Sequence, residues 1–90
     1  MTETTTIIGK VTFEKDVKQV FGVQVFLERD GMERMMAKTE LSGAYQFTNV
    51  PYGDYVITGV KNTPGFQLAG KITITVSKIP IEYELPLERI

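Results

Sequence analysis

The sequence predicts an all-β fold, a seven-stranded antiparallel Greek-key sandwich. Three observations point there. Apolar and polar residues alternate along almost the whole chain, the spacing at which strand side chains share one face of a sheet. No segment carries an apolar stripe of useful length at the helical period. Turn residues (Gly, Pro, Asn, Asp) recur between the alternating runs, which are themselves rich in Thr, Val, Ile, Tyr and Phe.

The elements follow in order. Met1 to Thr5 is polar and Thr-rich and is expected to fray as a flexible N-terminus (residues 1–5), leaving residues 6–90 as one sandwich domain. In the first strand Ile7, Gly9, Val11 and Phe13 alternate with Ile8, Lys10, Thr12 and Glu14, so the odd set is expected inward. The second strand repeats this, with Phe21, Val23, Val25 and Leu27 facing the core and Phe26 outward. Asp30-Gly31 suits the positive φ angles of a type I′ hairpin turn. A third strand near Glu33 to Thr39 would bring Met35, Ala37 and Thr39 inward. After the Leu41-Ser42-Gly43 turn, Tyr45 and Phe47 share the inner face of a fourth strand. Asn49 to Gly53 reads as a loop and Tyr55 and Ile57 as the fifth strand, with a break at Lys61 to Gly65. Ile72, Ile74 and Val76 mark the sixth strand, and Ile81, Tyr83, Leu85 and Leu87, after a break at Pro80, the seventh.

Composition narrows the chemistry. Ninety residues allow one domain, and 42% apolar with 23% charged residues is the balance of an ordinary folded chain. Ten Lys and Arg against eleven Asp and Glu give a net charge of −1, which carries no electrostatic footprint for nucleic acid or an anionic membrane. Without Cys or His the chain cannot form disulfides, zinc-thiolate sites or imidazole-based triads. No basic-then-apolar leader opens the chain, and no apolar run reaches the ~20 residues that cross a bilayer. Membrane insertion is therefore not expected.

One stretch is more specific than its alternation. Thr39-Glu40-Leu41-Ser42-Gly43-Ala44-Tyr45-Gln46-Phe47-Thr48-Asn49-Val50-Pro51-Tyr52-Gly53-Asp54-Tyr55-Val56-Ile57 resembles the signature of carboxypeptidase regulatory-like and Cna B-type modules, members of the transthyretin-like (prealbumin-like) sandwich group. Gly9-Lys10-Val11, Gly22-Val23-Gln24-Val25 and Pro64-Gly65-Phe66 resemble that family's flanking motifs, so the likeness spans residues 7 to 88. The fold-signature positions are Thr39, Gly43, Tyr45, Phe47, Pro51, Gly53 and Tyr55, with Glu40 standing where the family has Asp. The resemblance implies the sandwich, and for a module cut from a longer protein it leans toward a secreted or cell-surface setting. It says nothing specific about a ligand.

The chemistry known in such folds meets missing parts here. The isopeptide-forming modules need a buried Lys, a facing Asn or Asp and an assisting acid. Lys10 points to solvent by parity, Gly59 occupies the acid's place, and Ile81 to Ile90 holds no Asn or Asp. The transthyretin-like hydrolases and intradiol dioxygenases both require His. Glu28, Asp30 and Glu33, and likewise Glu82, Glu84 and Glu88, cluster without the spacing of a calcium loop. The expectation is a non-catalytic accessory module without cofactor or metal, a spacer or protein-interaction domain. The alternative is a carbohydrate- or peptide-binding module using Phe26 and Tyr52, whose rings are the candidates for exposure. Met32 and Met36 could add an adaptable contact surface. Pro80, Pro86, Glu82 and Glu84 guard the last strand as an edge, so a monomer is expected.

Overall fold

The computed structural model describes residues 3–13, 17–78 and 82–90. Among the described residues, eight strands form two sheets: β1 (Thr4–Thr12), β2 (Gln24–Glu28), β3 (Met35–Lys38), β4 (Ala44–Pro51), β5 (Gly53–Thr63), β6 (Phe66–Val76), β7 (Glu82–Pro86) and β8 (Glu88–Arg89), with a 3₁₀ turn at Val17–Val20. The smaller sheet has the order β4-β1-β7 and the larger β3-β2-β5-β6-β8. All pairs are antiparallel except β1 with β7, which run parallel.

The inner faces meet as the alternation requires. Ile7, Val11, Tyr45, Phe47, Val50 and Leu85 of the small sheet pack against Val25, Leu27, Tyr55, Ile57, Leu68 and Ile74 of the large one. Their outward neighbours Lys10, Gln46, Glu82 and Glu84 are exposed. Tyr45 and Phe47 meet edge to face at 6.0 Å between ring centroids.

Several boundaries differ from the sequence reading. Thr4 and Thr5, assigned to the flexible N-terminus, pair with Pro51 and Val50 as the start of β1. The eighth strand arises because the chain leaves the small sheet after Pro86 and joins the large one at Glu88, where Ala69 is its cross-strand neighbour. Phe21, expected inward, is 50% exposed, because β2 starts only at Gln24 and residues 21–22 form a turn. Val50 is buried within β4, not in a loop; Asn49, at φ 56°, sits in a bulge that lengthens β4 against β1. The expected break at Lys61 to Gly65 shrinks to a two-residue turn, and β5 and β6 pair continuously from Gly53↔Val76 to Thr63↔Phe66.

The Asp30-Gly31 turn is not type I′ either. Gly31 has φ 78°, but Asp30 does not share a positive φ, and Met32 N–H bonds to the Arg29 carbonyl at 3.3 Å, as in a type II turn. Pro80 and Ile81, the expected break and first core residue of the last strand, lie outside the described residues, as does Glu14.

Candidate functional site

Three surfaces concern the candidate residues. The first is the outer face of the large sheet. Phe26 lies mid-β2 between Met36 of β3 and Thr58 of β5, in a row that continues to Lys71. Val56 and Val60 flank it along β5, and Met36 is 56% exposed. Phe26 is half-buried, because the Arg34 guanidinium lies over its ring, 4.4 Å from the centroid. Arg34 also approaches Glu28 at 4.0 Å, both side chains well exposed, so this ion pair adds little.

The second surface is the corner at Tyr52. Tyr52 is half-buried, and its backbone is held from both sides: its N–H donates to the Glu3 carbonyl, and its carbonyl accepts from Arg29 Nη1 at 3.0 Å. The Arg29 guanidinium also lies over the Tyr55 ring, 5.0 Å from its centroid. To get there it passes over Gly53, where any Cβ would collide with Nη1; Gly53 also has φ 147°. Tyr55 Oη in turn donates to the Pro51 carbonyl at 2.7 Å. This corner is a structural clasp built around Arg29, a residue the sequence reading passed over.

Phe26 and Tyr52 do not converge. Thr58, opposite Phe26, is six residues from Tyr52 along β5, and at ~3.3 Å per residue the two sites stand ~20 Å apart. They make no joint aromatic platform. Met32 packs against the core and Tyr55 Oη, while Met36 joins the Phe26 row.

The third surface was not singled out in the sequence. A groove of about 510 Å³ runs across the outer face of the small sheet, past Glu82, Ile8, Lys10, Ala44 and Gln46, and round the free edge of β4 to Ala37, Lys38, Glu40 and Ser42. Half-buried Ala37 is an inward residue of β3, so at this end the groove reaches the margin between β3 and β4. Its end is closed by the turn, where Glu40 N–H bonds to the Ala44 carbonyl at 3.0 Å and Gly43 N–H to the Glu40 carbonyl at 2.8 Å. Thr39 anchors that turn: buried, it donates through Oγ1 to the Val20 carbonyl and accepts from Val23 N–H at 2.9 Å.

Tyr45 forms the groove's back wall. Its phenol donates to the Tyr83 carbonyl at 2.9 Å, crossing β1 at Gly9, where a Cβ would collide with the ring and with that carbonyl. A lone Gly in a strand signals such close approach, and Gly9 was the available clue. Burial raises the Tyr45 pKa well above its ordinary value of 10, with the Glu82 carboxylate and then Tyr83 adding to it. Among the described residues no buried side-chain polar atom lacks a partner, and no group of three acidic residues could hold a metal ion.

Residues 5–87 match the family model "BOS complex subunit NOMO1-like, second beta sandwich domain". The chain belongs to this family. No curated protein matches it. Among solved structures the NOMO1-like sandwich is similar to a Pseudomonas aeruginosa protein described as a "putative carbohydrate binding protein", with a TM-score of 0.65 over 94% of this chain and 89% of that one. At 15% identity, that likeness bears on the fold alone. No helix among the described residues is long and apolar enough to cross a membrane.

Proposed function

We propose that this accessory β-sandwich is non-catalytic and serves as an interaction module, engaging a protein partner along the side where β3 and β4 stand apart. The observation that carries the reading is the groove beside β4, which brings an open strand edge together with half-buried Ala37. Two further facts support it. The Tyr45 hydroxyl, whose pKa is raised, is engaged in donating to the Tyr83 backbone carbonyl. Gly59 leaves no room for the assisting acid of isopeptide chemistry, since a Cβ there would lie 2.8 Å from Leu85 Cδ2. The family's description as a complex subunit agrees with a protein partner. We also assign the sandwich to the transthyretin-like group, because Thr39, Gly43, Tyr45, Pro51, Gly53 and Tyr55 each fill a demanding role in the turn, the corner clasp or the core.

The second reading, carbohydrate binding at Phe26, draws on the structural neighbour's description. Arg34 covering the Phe26 ring and the distance to Tyr52 weigh against it. Panning the purified domain against a displayed peptide library, in parallel with a glycan array, separates the two. Enrichment of peptides with an empty array is the expected result. Glycan binding that disappears in Phe26→Ala would overturn it.

A further inference from the structure

We infer that the smaller sheet has a vacant fourth position beside β4, and that this position takes a single extended segment of a partner protein by strand addition. The inference rests on the interaction-module reading and specifies its geometry.

Hydrogen-bond alternation shows which backbone groups are available. Val11 N–H bonds to the Gly43 carbonyl, so in this antiparallel pair residues 43, 45 and 47 direct their backbone groups toward β1. Residues 44, 46 and 48 direct theirs away, and the Ala44 carbonyl does face outward, accepting from Glu40 N–H. Beyond that, among the described residues β4 has no second neighbour in its sheet, which leaves the N–H and C=O groups of Gln46 and Thr48 as an open ladder ending at the Asn49 bulge. No charged side chain and no proline interrupts β4 before Pro51. These are the devices by which edges are ordinarily blunted, and this stretch lacks them.

The opposite sheet says where the added strand would rest. Met35 and Ala37, inward on β3, remain half-buried, whereas Val25 and Leu27 on the adjacent β2 are fully buried, so the small sheet stops short of β3 and leaves it projecting beyond β4. A strand added to β4 would cover them.

The same overhang selects the occupant. Joining β4 to the β4 of a second copy would bring two projecting β3 strands into one space, while a lone segment carries no second sheet and fits. Its inward residues must be apolar, to rest on Ala37 and Met35. Its outward residues must be polar, because they face solvent on the same side as Gln46, Ile8 and Glu82.

The probe is a seven-residue peptide alternating valine and threonine, with a control N-methylated on the amides that would face β4. NMR titration of the labelled domain should shift the Gln46, Thr48 and Ala37 amides, and N-methylation should weaken binding at least about tenfold. Ala37→Glu, which fills the floor of the groove from a half-buried position, should weaken it comparably. Absence of shifts at millimolar peptide, or equal binding of the methylated control, would overturn the proposal. Shifts confined to Met35 and Ala37, with the Gln46 and Thr48 amides unmoved, would also overturn it while leaving the interaction-module reading standing.

Discussion

On the β7 side of the sandwich the chain closes the gap between sheets with its own backbone. After Pro86 it crosses from the small sheet to the large one, Leu87 N–H bonds to the Thr12 carbonyl at 2.7 Å, and β8 pairs with β6. Gly70 and Gly59 permit the approach, since a Cβ on either would run into Pro86 or Leu85. Tyr83 ties the side further, accepting the Tyr45 hydroxyl at its carbonyl and donating its own to the Thr75 carbonyl at 3.0 Å. On the β4 side nothing comparable happens. The turn at Glu40 to Gly43 closes one end, and the rest stays open along Gln46 and Thr48. Two edges of one small sheet thus have opposite finishes: one is charged, proline-bearing and ends in a crossover to the other sheet, the other neutral and accessible. The difference teaches that an open edge is a local property of the hydrogen-bond ladder and need not mean a loose core beneath it.

The strongest test of that last point is Phe47→Ala. Phe47 belongs to the open strand yet is buried against Tyr45. Truncating a core aromatic costs ~3–5 kcal/mol, against a total stability of ~5–15 kcal/mol for a domain of this kind. A large fraction of the variant should be unfolded at physiological temperature. A melting temperature within a few degrees of the parent would show that the open side is loose after all.

Tyr45→Phe sharpens the comparison from the closed side. It strips the Tyr83 carbonyl of its donor at a covered position, which should cost ~1–3 kcal/mol in chemical denaturation. Its pH signature is specific. The folded-state pKa lies above the unfolded value, so the stabilisation is complete below pH ~10 and declines as pH rises beyond it, by up to ~1.4 kcal/mol per unit. The substitution should flatten this decline. An unchanged alkaline slope would assign it to other groups.

A smaller effect is expected from unmasking the charged edge. In Glu84→Val/Pro86→Val the strand loses one of its outer charges and its missing ladder donor. The parent should sediment as a monomer at micromolar concentration and the double variant should self-associate. An unchanged mass would mean that the crossover to β8, not these side chains, protects this edge.

How much of this was legible in the sequence depends on the kind of fact. Parity along single strands was legible: Ile7, Val11, Val25, Leu27, Tyr45, Phe47, Tyr55, Ile57 and Leu85 are buried where alternation puts them, because one face of each strand meets the other sheet. Pairing was less so. Alternation cannot say that β1 lies between β4 and β7, or that its partner β7 runs parallel, since neither leaves a mark on a single strand. Phe21 misled because parity extends a strand past its last ladder bond. Of the candidate site, Phe26 was placed on the correct face, but the arginine above it comes from across the β2–β3 connection. The groove was invisible for the same reason as the pairing: it brings together residues of β1, β4, β7 and β3, which no single strand's pattern relates.

The finest test reads the open ladder directly, one amide at a time. Within five residues of β4, amides should alternate in hydrogen exchange. Tyr45 and Phe47 direct theirs toward Gly9 and Ile7 of β1 and should be released only when the strand pair opens. Gln46 and Thr48 direct theirs to solvent and should exchange orders of magnitude faster in the intact fold. Position along the strand cannot produce this pattern, because fraying would give a gradient from one end. Uniform protection from Tyr45 to Thr48 would mean that the β4 edge is already covered in solution. The difference between the two sides of the sandwich would then disappear, and the vacant strand position with it.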